Sequence, residues 1–392
     1  MSFNLSAVQN QLCRRGLDGW LFYDFHHRDP IAYRLLGLEP GLVTRRWYYF
    51  IPAQGSPQKL VHRIEAARLD PLPGSKRNYT SWEEQRAGLN EILGPARKIA
   101  MQYSPLNAIP YVSLVDAGTV ELVRSLGREV VTSADLVQLF EACWSPEQFE
   151  MHRAAGQRVD TIMQRAFGRI REFVAAGKSL SEYELQQWIL RQFESEGLMT
   201  DDPPIVAVNE SSGNPHYEPR PDRARPIRRG DWVLLDIWAK LKTPDAVYYD
   251  ITWVGSAGAE LSVRQQEIFA IVKEARNQAI AFVAQARRRG QPIYGYQVDD
   301  VARGLIRARG YGDSFLHRTG HSLGTEIHST GANMDNLETR DAREVVARTC
   351  FSIEPGIYLP EFGVRLEVNV YADERDAWVT GRIQDEIVRI LE

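Results

Sequence analysis

The chain has 392 residues, 44% of them hydrophobic, and a formal net charge of -4. It is long enough for two ordinary cores, and its mild acidity gives no electrostatic reason to expect a nucleic-acid partner. Three cysteines, Cys13, Cys143 and Cys350, lie far apart with no CxxC pair, which fits a reducing compartment and argues against a disulfide framework or a thiolate metal site.

The opening Met1-Ser-Phe-Asn-Leu has no basic stretch leading into an apolar one, and no run of about 18 apolar residues occurs anywhere. A soluble cytoplasmic protein with no membrane partner is therefore expected. Residues 1–143 alternate between helix and strand. A helical start at 5–16 leads to short apolar runs at 19–23, 46–51, 59–64 and 98–103, with helical periods at 82–93 and 114–127. Such alternation predicts an α/β domain. It holds His26, His27 and His62 but no tight set of ligands, so a scaffold or oligomerisation role is the expectation.

The boundary falls at Trp144-Ser145-Pro146-Glu147, where Ser at the cap and Pro at the first helical position signal a helix start. Residues 144–392 form the second predicted domain. Long helices are expected from there to Gly177 and over 181–197, then a strand at 205–208 and the polar loop that carries His216. A ribbon follows, 230–238 returning as 246–254, with one aspartate in each arm, Asp236 and Asp250. Helices at 262–289 and 297–309 precede the turn His317-Arg-Thr-Gly-His321 and His328. The chain closes on a second ribbon, Phe351 to Gly356 and Gly363 to Val370, whose arms carry Glu354 and Glu367. One plan thus occurs twice, a helix pair followed by a ribbon bearing carboxylates.

An acid on an apolar strand is costly to bury unless a cation or a proton meets it. Four of them, with a histidine in a glycine-flanked turn, are hard to explain separately. Four carboxylates and one imidazole suit two divalent ions, whose four positive charges they balance. Oxygen-rich ligation favours Mn²⁺, with Co²⁺, Fe²⁺ or Zn²⁺ as other occupants.

Two rival motifs overlap this region and fail. Gly320-His-Ser322-Leu-Gly324 matches the nucleophile elbow G-x-S-x-G, but no apolar strand precedes Ser322 and no helix follows it. The last histidine, His328, leaves no room for an intervening acid. His317 and His321 have the outer spacing of H-E-x-x-H, but Arg318 stands where the Glu should be and Thr319-Gly320 is poor helix.

Asp236, Asp250, His321, Glu354-Pro-Gly356 and Arg365-x-Glu367 together resemble the pita-bread metallopeptidases, most closely the aminopeptidase P/prolidase branch. The resemblance implies an N-terminal α/β creatinase-like domain followed by a C-terminal pita-bread domain, an α+β/α/β chain overall, with a homodimer as the assembly. It implies that Asp236 holds one metal, that His321 and Glu354 hold the other, and that Asp250 and Glu367 bridge both. His216 would lie near the scissile bond, and His328 would stabilise the tetrahedral intermediate. His317 would pack on the substrate proline, and Arg365 would orient Glu367 and its neighbours. Glu354 would also shuttle the proton to the leaving nitrogen.

The implied activity is hydrolysis of the Xaa-Pro bond at the N-terminus of short proline-containing peptides. An Xaa-Pro dipeptidase is expected first, because Arg340 falls where prolidases carry an Arg that grips the dipeptide carboxylate. Aminopeptidase P, acting on longer peptides, is the alternative. A non-catalytic pita-bread binding protein and a creatinase-type C–N hydrolase are less favoured, since all five ligands are present. Three departures stand out: Val368 directly after the last Glu, Trp253 after Asp-Ile-Thr, and an Asp236–Asp250 spacing that suggests a longer turn at 241–245. The first two would alter tuning around the metals.

Overall fold

Four helices in this chain start on the same reciprocal cap. The hydroxyls of Ser81, Ser145, Ser181 and Ser262 each accept from the backbone three residues on, while Glu84, Gln148, Glu184 and Gln265 reach back to the cap. Each pairing satisfies two backbone donors that a helix start leaves unpaired. The computed structural model describes residues 3–392, and the chain divides into two units, Met1–Glu141 and Ala142–Glu392.

The first unit runs α1 (Leu5–Arg14), β1 (Gly19–Asp24), α2 (Pro30–Leu36), β2 (Trp47–Pro52), β3 (Gln58–His62), β4 (Ser75–Tyr79), α3 (Trp82–Leu93), β5 (Lys98–Met101), α4 (Ala117–Ser125), β6 (Glu129–Thr132) and α5 (Ala134–Val137). Its six strands lie in the order β4-β3-β2-β1-β5-β6. β2 is antiparallel to both its neighbours, and the other three pairs are parallel. Alternation along β1 sends Trp20 and Phe22 to one face, against α1 and α2, and Leu21 and Tyr23 to the other, against α3 and α4. The runs expected at 59–64 and 98–103 stop early, at His62 and Met101, and a 3₁₀ turn at Arg63–Glu65 takes over from the first.

The second unit runs α6 (Pro146–Ala175), α7 (Glu182–Ser195), β7 (Leu198–Met199), β8 (Ile205–Val208), β9 (Trp232–Leu241), β10 (Tyr249–Ser256), α8 (Val263–Arg288), α9 (Gly295–Ala308), β11 (Ser322–Leu323), β12 (Thr349–Ile353), β13 (Gly356–Tyr358), β14 (Gly363–Arg365), β15 (Val368–Ala372), β16 (Ala377–Val379) and β17 (Val388–Arg389). β9 and β10 pair antiparallel, with Asp236 opposite Thr252 and Trp238 opposite Asp250. The period of two then decides the architecture. Val233, Leu235, Ile237, Tyr249 and Ile251 face the core built on α6 and α7. Trp232, Leu234 and Val254 face the core built on α8, α9 and β12–β15. Asp236, Asp250 and Thr252 share that second face, so the ribbon of the first half presents its acids to the ribbon of the second.

His152 on α6 locks the outer end of β10. Its Nδ1–H donates to the Tyr248 carbonyl at 2.7 Å, and its Nε2 lies 2.7 Å from Thr380 Oγ1. Burial draws its pKa down to about 4, against a smaller upward pull from the Tyr248 carbonyl. The depressed value means that the unfolded chain gains a proton which the fold refuses as pH drops from 6.5 toward 4. Stability from this source is complete above 6.5 and declines below it. Denaturant titrations at pH 7.5, 6 and 5 should lose up to about 1.4 kcal/mol per pH unit through His152. His152→Gln should flatten the slope by that amount, and an unchanged slope would mean that the ring is protonated in the fold.

Among the described residues, no helix is long and apolar enough to cross a membrane.

Candidate metal centre

The terminal ribbon departs from its expected form at the two positions that matter. Instead of two continuous arms, each arm breaks at its acid. β12 pairs with β15 as far as Ile353–Val368, and β13 pairs with β14 from Gly356–Arg365 onward. Glu354 and Glu367 occupy the gaps between. Released from the ladder, their backbone amides find other partners: Glu354 N–H donates to the Thr319 carbonyl at 2.7 Å, and Glu367 N–H to the Thr252 carbonyl at 3.2 Å. The breaks therefore join the glutamates to the two segments that carry the other ligand candidates.

His321 arrives on β11 alongside β12. Its N–H donates to Ser352 Oγ at 2.9 Å, and Ser352 N–H returns to the His321 carbonyl at 2.9 Å. A Cβ on Gly320 would sit 1.9 Å from the Ser352 carbonyl, so only glycine lets the strands approach this closely. The segment leading in is held by a buried pair on α9. Asp299 accepts from Thr319 N–H and Oγ1–H at 2.9 and 2.7 Å, and Arg303 donates to the carbonyls of Phe315 and His317. His321 Nδ1–H points back at the Ser322 carbonyl, 3.4 Å away. Its bare Nε2 faces Glu354 Oε1 at 3.3 Å and Asp250 Oδ2 at 3.5 Å.

Ligand atoms of Asp250, His321 and Glu367 lie within 4.8 Å of one another, all buried. Asp236 is near enough for its charge to act on Asp250, Glu354 and Glu367. Asp250, His321 and Glu367 thus form one cluster, Glu354 joins it beside His321, and Asp236 is tied to it through Arg365. Burial first, then mutual repulsion, pushes Asp250 and Glu367 well above the usual carboxylate range. Burial lifts Glu354 to about 7, with Arg365 as the main opposing influence. Burial also drives His321 far below an ordinary imidazole, keeping its lone pair free. Three buried carboxylate oxygens, Asp236 Oδ1, Asp250 Oδ1 and Glu367 Oε1, have no hydrogen-bond partner. Orphaned buried anionic oxygens are what divalent cations would satisfy, so the donor set fits such ions.

The remaining predicted residues fall into two groups. Arg365 is buried and ties the site together. It donates to Asp236, to Thr252 Oγ1 at 3.1 Å, to Tyr358 Oη at 3.0 Å and to the Pro215 carbonyl at 3.2 Å. His317 has both nitrogens engaged, Nδ1–H on the Arg318 carbonyl and Nε2 with Tyr358 Oη at 2.6 Å, so only its ring face is open to a substrate. His328 stands at the rim with its ring 4.4 Å from that of His321. Desolvation, then the charges of Arg318 and His216, brings its pKa down to about 4. His216 is exposed, and its charge acts on both His317 and His328. Arg340 lies apart from these contacts, exposed, with its guanidinium 4.0 Å over the Tyr296 ring. Trp253 points away from the acids into the α6–α7 core, and Val368 is a core residue opposite Ile353. Trp253 is thus placed by strand parity where it cannot tune the ligands by contact.

Several residues that build the site went unread in the sequence. Thr252 Oγ1–H donates to Glu367 Oε2 at 2.8 Å while accepting from Arg365. Asn369 accepts from Asp250 N–H at 3.0 Å and donates to the Asp250 carbonyl. Thr252 sits two residues beyond Asp250 on the same strand face, and Asn369 two residues beyond Glu367, a period-two signal of polar residues legible in the sequence. Tyr358 and Ser352 gave no such signal. Neither did Glu182, which is buried and takes the N–H groups of Val208 and Arg225 and the hydroxyl of Tyr217, fixing the loop that carries His216.

Ser322, the nucleophile of the rejected hydrolase motif, sits in a two-residue strand paired with Phe351 rather than on a strand-to-helix elbow.

The chain resembles known proteins in sequence and fold. The Xaa-Pro dipeptidase of Lactobacillus helveticus is 30% identical over 224 residues, a match spanning 57% of this chain and 55% of that protein. The crystal structure of dipeptidase PepE from Mycobacterium ulcerans superposes with a TM-score of 0.71 at 22% identity, covering 98% of this chain and 96% of that one. X-Pro aminopeptidase from Thermotoga maritima gives 0.60 at 21%, covering 96% and 99%. The fold is that of the pita-bread peptidases. The profile of metallopeptidase family M24 matches residues 150–374, the stretch that contains every residue of the buried cluster, and the chain belongs to that family.

Proposed function

We propose that this chain is a dinuclear metallopeptidase that hydrolyses the bond between an N-terminal residue and a following proline in short peptides. Xaa-Pro dipeptides are its first substrates, and manganese is the preferred metal. The observation that carries this reading is the cluster of His321 and four acids, three of them buried, with its three unpartnered carboxylate oxygens.

Asp236, Asp250, His321, Glu354 and Glu367 would hold the two ions, which when bound polarise the scissile carbonyl and lower the pKa of an attacking water. The chain's own groups supply the rest. Glu354 Oε1 accepts from Ser352 Oγ–H at 2.9 Å, which fixes the carboxylate so that it can take the proton of the attacking water and pass it to the proline nitrogen. His328 would donate to the developing oxyanion, and His216 would line the approach. The open face of His317, its nitrogens already satisfied, offers a flat surface to the proline ring. Arg365 keeps Asp236 and Glu367 aimed inward.

The dipeptidase reading rests on Arg340 leaving the Tyr296 ring to hold a substrate carboxylate. Aminopeptidase P action on longer peptides is the reading that applies if it does not. The free cysteines, two of them buried, accord with a cytoplasmic setting, and a homodimer is the assembly that goes with this reading. Ala-Pro and Ala-Pro-Ala should be assayed with Mn²⁺, with and without chelator. Ala-Pro should be turned over at least tenfold faster, and Arg340→Ala should raise its KM about tenfold through loss of one charge-assisted pair. Equal turnover of both peptides would select the aminopeptidase. Activity that survives complete metal removal would sink both.

A further inference from the structure

The first unit contains a pocket of about 670 Å³ that the peptidase reading does not use. That volume lies within the range of small-molecule sites. Its floor is aromatic, with Tyr23, Phe25 and Tyr79, and Trp82 stands at its edge 67% exposed. Three arginines line it, Arg28, Arg45 and Arg46. Three other arginines of this unit pair with acids, Arg15 with Asp135, Arg34 with Glu141 and Arg77 with Glu91. Among the described residues, the three pocket arginines form no ion pair. Arg28 rests over the Phe25 ring at 5.4 Å, and the Arg45 guanidinium donates only to Thr44, while the Arg45 backbone N–H donates to Glu65 at 3.3 Å. Arg46 lines the pocket, and its charge acts on Tyr23, Tyr48 and Tyr79.

Asp116 is the one acid in the lining, and it is already engaged by Thr119 N–H at 2.8 Å and Thr119 Oγ1–H at 2.9 Å. The pocket therefore carries a net charge of +2, three guanidiniums less one carboxylate. Each feature matches part of one ligand class. Unpaired guanidiniums bind phosphate bidentately, aromatic faces stack on a planar base, and a carboxylate with lone pairs to spare accepts from a sugar hydroxyl.

We propose that this pocket binds a nucleoside phosphate, with Arg28, Arg45 and Arg46 on the phosphate and Trp82 and Phe25 against the base. The test is calorimetric titration of the full-length protein with AMP, adenosine and inorganic phosphate in turn. AMP should bind saturably, inorganic phosphate at least tenfold more weakly, and adenosine not measurably. Arg46→Gln and Trp82→Ala should each weaken AMP at least tenfold. Both side chains are exposed, so melting temperature and peptidase activity should stay unchanged and report that the fold is intact; Arg28→Gln is the substitute if either variant melts early. No saturation at millimolar AMP would overturn the proposal. So would binding unaffected in the variants, or phosphate binding as tightly as AMP.

Discussion

Glu354→Gln should lower kcat on Ala-Pro by about a thousandfold or more, the largest loss expected from any single isosteric change in this chain. The amide keeps the shape of the side chain and can still accept the hydroxyl of Ser352. It cannot take up the proton of the attacking water, and it brings one less negative charge to a cluster proposed to balance two dications. KM should move far less than kcat, because the substrate contacts proposed for His317 and Arg340 are untouched. Bound metal should be counted in the same sample by elemental analysis. Two ions retained with the rate lost would place the defect in proton transfer, and one ion lost would place it in ligation. A variant that keeps more than a tenth of the wild-type kcat would remove Glu354 from the mechanism.

Arg365→Met should cause the largest loss of stability. The guanidinium is buried, and it serves Asp236, Thr252, Tyr358 and the Pro215 carbonyl at once. Removing one partner of a buried charge pair costs about 3–5 kcal/mol, because the other charge is left without compensation. The metal-free protein should suffer the full loss. Mn²⁺ should restore part of it, since cations can take over the charge that Arg365 had been balancing at Asp236. Denaturant unfolding with and without Mn²⁺ measures both. A loss below 1 kcal/mol in the metal-free form would mean that Arg365 is not what keeps the acids together.

The sequence was most legible where the chemistry is least compatible with burial. Asp236, Asp250, Glu354 and Glu367 each stand in an apolar run, and that anomaly by itself marks the cluster. The capped helices could be read as well: Ser145-Pro146 and Ser181 open helices within a residue of where they were expected. What escaped had weak or conflicting local signals. β4 carries Ser75, Lys76, Arg77 and Asn78, all exposed at a sheet edge, so no apolar alternation marks it. α2 is only seven residues long, too short for a helical period to register. The breaks at Glu354 and Glu367 could not be read either, because an apolar run looks the same whether its ladder is continuous or interrupted. Long-range pairing decided that, and with it the angle at which the glutamates meet the aspartates.

The division of the cluster between the two halves of the second unit has a consequence for how the protein matures. Asp236 and Asp250 belong to the earlier ribbon, whereas His321, Glu354 and Glu367 come from the later one. Neither half owns enough donors to trap a pair of ions by itself. With the metal centre proposed above, a nascent or truncated molecule would gain its full donor set only once its last strands have docked.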